Sequence, residues 1–160
     1  MLESLSVPKR RVAAQFVLPG GSSRKVAVFL AEAVPGREGG ERLSDLLNGS
    51  GPRFIPAHDA ETDAMTFVHR ENLALARVAA EHEPNVVDPF NLPTEHEVEL
   101  RLVDGQALHG IIAYVLPEAH SRLTDYLNSA PPFFPLLEEG GQHVVLVNKH
   151  HVAYVETLRR

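Results

Sequence analysis

The sequence predicts a mainly β protein with short inserted helices, built as two duplicated small barrel domains that pack as a pseudo-twofold pair. Three observations predict it. The octapeptide Glu-Arg-Leu-Ser-Asp-Leu-Leu-Asn at 41–48 recurs as Ser-Arg-Leu-Thr-Asp-Tyr-Leu-Asn at 121–128. The segments on either side of it match in order, spacing and apolar pattern. Several of those segments alternate apolar and polar residues, which is the period of a half-buried strand.

The match places a first copy at 10–78, a connector at 79–95 and a second copy at 96–157. Residues 12–21 face 97–106 loosely, and Val-Glu-Leu-Arg-Leu-Val (98–103) alternates strictly enough to be a strand. Asp104-Gly105 follows, a strong signal for a tight hairpin turn. The partner strand is Ala-Leu-His-Gly-Ile-Ile-Ala-Tyr-Val-Leu (107–116), matched at 108–117 by residues 26–35. Its Gly110 sits mid-strand, where glycine marks a bulge or a sharp bend. In the first copy Pro19-Gly20-Gly21 replaces the tight turn with a looser one.

The octapeptide reads as a short helix. Leu43 and Leu47, like Leu123 and Leu127, stand four apart and share a face. Arg42 and Asp45, like Arg122 and Asp125, stand three apart and can pair. Asn48 and Asn128 stand where the helix must stop, since Asn tolerates the left-handed conformation of a C-terminal cap. The chain then leaves through Pro56 or Pro135. Residues 67–78 face 146–157, which predicts a second hairpin closing each copy, with its turn at Arg70-Glu71 or Lys149-His150. The connector carries prolines and acids, and its Val86, Val87, Phe90 and Leu92 predict that it packs on the domains.

Two readings of the recurring octapeptide stand side by side. In one, each half needs the same helical plug, because a β unit of this size has a marginal core. In the other, Arg42, Asp45, Arg122 and Asp125 form a paired recognition surface. Burial separates the two readings.

Composition excludes several functions. The net charge of −6 opposes loose binding to nucleic acid, which rests on an excess of Lys and Arg. The chain has no cysteine, so disulfides, thiolate nucleophiles and Cys-ligated zinc are absent. No apolar run reaches the length of a secretory signal or a membrane span, and the expectation is a cytoplasmic protein away from membranes. Nine histidines invite a metal, yet His150 and His151 would point to opposite faces of a strand and no His-Glu-x-x-His spacing occurs. No phosphate-binding loop, dinucleotide fingerprint or Gly-x-Ser-x-Gly elbow occurs, so neither a cofactor nor an enzyme activity is expected.

Residues 98–112, a strand with an Asp-Gly turn and a second strand with a bend glycine, resemble the first signature of Sm-like proteins. Val-Asn-Lys-His-His-Val-Ala-Tyr-Val (147–155) is similar to the second signature of the bacterial Sm-like RNA chaperones. The whole unit with its inserted helix also resembles an uncharacterised bacterial family of small β-barrels. The Sm-like resemblance implies small barrels and, at Lys149 and His150, residues that face RNA. It covers about 25 residues per copy, and the first copy has Arg70-Glu71 in place of Lys149-His150. Function belongs to sites rather than folds. The reading is therefore a non-enzymatic cytoplasmic adaptor or regulatory module that binds a protein partner, a homodimer being one form of such pairing. The alternative is an RNA- or nucleotide-binding Sm-like protein using Lys149, His150 and Arg70.

Overall fold

Alternation along residues 9–17 sends Val12, Ala14 and Phe16 into a core and leaves Arg11 and Ala13 outside. That segment is β1 (Lys9–Val17) of a computed structural model that describes residues 8–36, 38–84, 90–117 and 122–158. It turns through Pro19-Gly20-Gly21 into β2 (Ser23–Ala31). After α1 (Leu43–Asn48) come β3 (Phe54–Asp59), β4 (Met65–His69) and β5 (Leu75–Ala79). The second half runs β6 (Thr94–Leu102), β7 (Ala107–Tyr114), α2 (Leu123–Ser129), β8 (Phe133–Glu138), β9 (His143–Asn148) and β10 (Val152–Thr157). At the β6–β7 turn Gly105 takes φ +98°, which the hairpin demands and glycine supplies without strain.

The ten strands form one open antiparallel sheet in the order β10-β6-β7-β8-β9-β5-β1-β2-β3-β4. The separate closed barrels expected from the sequence are not what forms. Instead of closing on its own half, β5 pairs with β9, from Leu75↔Val147 to Ala79↔His143. Within each run one pairing scheme recurs: β5-β1-β2-β3-β4 in one and β10-β6-β7-β8-β9 in the other. The registers also correspond. Phe54 faces His69 and Pro56 faces Phe67, as Phe133 faces Asn148 and Pro135 faces Leu146. Ala14 faces Val78 and Val26, as Val98 faces Thr157 and Gly110. Relative to the sequence match, the ladders move the first strand by one residue and the second by two.

Two further expectations are corrected. The last two strands of each half do not pair with each other, because a 3-10 turn (Arg70–Asn72 or Lys149–His151) carries the chain across to a different neighbour. The hairpins are β3–β4 and β8–β9, formed by the proline-containing segments. Phe90 and Leu92 of the connector are exposed; Val86 and Val87 lie outside the described residues.

Because neighbouring side chains on a strand alternate, the two middle strands serve two cores. Ala76 and Val78 of β5 with Val144 and Leu146 of β9 belong to the core beneath β1–β3. Leu75 with Val145 and Val147 belongs to the core beneath β6–β8. Gly110 has no positive φ; a Cβ there would collide with the Leu137 carbonyl oxygen, so its role is the close approach of β7 to β8.

Candidate functional site

The recurring octapeptide serves main-chain groups. A helix leaves its first N–H donors without partners, and an acid in its first turn suits its positive end. Asp45 accepts the Arg42 N–H at 2.8 Å, and Asp125 accepts the Arg122 N–H at 3.3 Å. Glu83 lies beside the same end of α1, its carboxylate 3.5 Å from the Ser44 nitrogen, and burial pushes that carboxyl up. Leu43 and Leu47 are buried, while Leu123 and Leu127 are half-buried. The difference has a visible source. Asn48 donates to the Phe133 carbonyl at 2.9 Å and accepts the Phe133 N–H at 2.7 Å, locking α1 onto β8 of the other half. Asn128 folds back onto the Thr124 carbonyl at 2.8 Å.

Arg70 and Lys149, matched in the sequence, occupy matched places. The Arg70 guanidinium donates to the Leu46 and Gly51 carbonyls, both at 3.2 Å. The Lys149 ammonium donates to the Ala130 carbonyl at 2.7 Å. Each cation ties down the loop that follows its helix. Arg70 and His150 come together in a groove of about 420 Å³ at the seam between the halves, with Asn48, Glu71 and Asn148. Arg42 and Asp125 line different hollows. Asn148, buried, spans the seam by donating to the Glu71 and Leu73 carbonyls at 3.0 and 2.9 Å. Among the described residues no cluster of His, Asp or Glu is placed to hold a metal ion.

The feature that sequence reasoning missed is the β3–β4 edge. β4 ends the sheet, so its outer side pairs with no strand among the described residues. Phe54 and Phe67 are 58% and 65% exposed there, and Met65 stands open beside them. Their counterparts in the repeated register, Phe133, Leu146 and Val144, are buried beneath β5 at the seam. Behind β4 opens a cavity of about 330 Å³ lined by Phe16, Leu18, Thr66, Val68 and His69. The Nδ1 of His69 is buried without a hydrogen-bond partner among the described residues. The signal for this edge was present in the match of Phe54 with Phe133 and Phe67 with Leu146, but only the pairing shows that one set is covered and the other open.

The inner end of the edge is anchored by Asp59. Its carboxylate accepts the Glu61 N–H at 2.8 Å, the Thr62 N–H at 3.1 Å and the Arg24 guanidinium at 2.8 Å. The Thr62 bond first, then Arg24, holds the carboxyl down at about 2. Compared with known proteins, the chain matches no family model, no curated protein and no solved structure.

Proposed function

We propose that the chain is a non-enzymatic interaction module whose β3–β4 edge receives an extended strand of another protein chain, with alternate apolar side chains. The observation that carries this reading is the unpaired β4 edge with exposed Phe54, Met65 and Phe67. An uncovered strand offers a row of main-chain donors and acceptors, and natural edges are commonly blunted by charge or proline. This one offers aromatic surface and a cavity behind it instead. Strand addition combines main-chain hydrogen bonds with pockets for alternate side chains. Contiguous apolar surface of this kind marks a partner site.

The RNA-binding reading draws less support. Lys149 and Arg70 spend their charged groups on main-chain carbonyls, and the net charge is negative. A photo-activated crosslinking residue placed at position 67, in the protein's native cells, tests the docking reading. A protein adduct at 67, missing when the same residue stands at exposed Val103, is the expected result. No adduct at 67 sinks it.

A further inference from the structure

Resting on that docking reading, we infer that the partner strand is β10 of a second copy of this chain, so that molecules join head to tail. The seam inside the molecule already contains such a contact. There β5 of one half meets β9 of the other, and the two free ends of the sheet are the counterparts of those strands: β10 corresponds to β5, and β4 to β9. One contact has already been made within the chain; among the described residues the same two surfaces pair with no further strand at its ends.

Each fitting of the seam has an unused counterpart. Phe133, Val144 and Leu146 are buried beneath β5, and Phe54, Met65 and Phe67 stand open. Leu75 of β5 is buried in the core with Val145 and Val147 of β9. Its counterpart Tyr154 is 47% exposed on β10, and the cavity behind β4 is lined by Thr66 and Val68, the counterparts of Val145 and Val147. Tyr154 is a projection and that cavity its seat. Asn48 clasps the Phe133 main chain, while Asn128, its counterpart, folds back on α2 and Phe54 has no such clasp among the described residues. Asn148 bonds to main-chain carbonyls across the seam, while the Nδ1 of His69 at the matching place is buried with no hydrogen-bond partner among the described residues.

The seam register then specifies the new contact. Leu75↔Val147 and Ala76↔Leu146 become Tyr154↔Val68 and Val155↔Phe67 between copies. One fitting changes its chemistry. At the seam Arg77 bonds Glu138 at 2.9 Å. At the ends Glu156 replaces Arg77, Asp59 replaces Glu138, and the cation that Glu156 meets is the half-exposed Arg24. A contact between two unlike surfaces is heterologous, so it adds copies in one direction until a ring closes or a filament grows.

The test is complementation of Phe67→Asp and Tyr154→Asp, both at exposed positions, each first checked for an unchanged melting temperature. Masses are measured by light scattering after gel filtration. The wild type should run as a multiple of the 17.6 kDa chain and each variant alone as a monomer. Mixed, the two variants should form a 1:1 dimer and stop, because only one intact Tyr154 and one intact Phe67 can meet. A Tyr154→Asp protein that assembles like the wild type overturns the inference, since a contact between two β4 edges would not involve β10. A wild type that stays monomeric at every attainable concentration overturns it too. In that case a crosslink from position 67 to a different protein leaves the docking reading standing, and no crosslink removes both.

Discussion

Asp59 shows how one side chain fixes the end of an edge strand. Its carboxylate gathers two main-chain N–H groups and a guanidinium, all of which favour the charged form. The folded carboxyl at about 2 lies below its ordinary 3.8. The folded state therefore binds that proton less readily, and the stabilisation is complete above pH 3.8 and lost as pH falls through about 2. Asp59→Asn should lower the melting temperature, with the gap from wild type widest above that ordinary value and closing toward pH 2. Melting curves across that range check it, and a gap independent of pH would remove the charge from the account. Arg70 and Lys149 teach a related lesson. Their match was legible in the sequence, because residues 67–78 face 146–157. Their task was not, because the receiving carbonyls, of Leu46 in α1 and of Gly51 and Ala130 just after the helices, are ones that only the fold brings near.

At the scale of elements, the two helices differ in depth although their sequences agree. α1 packs under β8 and buries Leu43 fully, while α2 leaves Leu123 half-buried. Leu43→Ala should cost about 2–5 kcal/mol, in line with truncation of a fully buried leucine, and Leu123→Ala clearly less. Chemical denaturation of the two variants decides it, and equal losses would mean that α2 is as well covered as α1. The strands β1, β2, β6 and β7 and both helices were legible, because alternation, the Asp-Gly turn and the four-residue leucine spacing act locally. The strands β3 and β8 were not, because Pro56 and Pro135 argue against a strand. The structure shows why they fit. β2 pairs with β3 only at Ala57–Asp59, and β7 with β8 only at Leu137–Glu138. Each proline therefore lies beyond that ladder, with a strand on one side alone, where its missing N–H costs little.

For the molecule as a whole, the pairing of β5 with β9 decides how the halves behave. Their side chains are shared between two cores, so neither core is complete without residues from both halves. Heating should unfold the chain in one cooperative step, with calorimetric and van't Hoff enthalpies in agreement under conditions that keep it monomeric. Two resolved transitions would show that the halves melt separately. Nothing local in the sequence announced this exchange of strands. The alternating apolar positions of β5 and β9 suit a barrel closed on itself as well as a sheet continued into its neighbour, and the choice is made by the register across the seam.

That shared seam also bears on how the chain is made. A ribosome delivers β5 long before β9, roughly seconds ahead at ordinary synthesis rates. Until the later strand emerges, the nascent first half has an open strand on either side and lacks Phe133, Val144 and Leu146 from its interior. Its last contacts join residues far apart along the chain, which makes their formation slow. The newly made first half is thus the vulnerable form of this protein, the stage at which a holding chaperone would have most to protect.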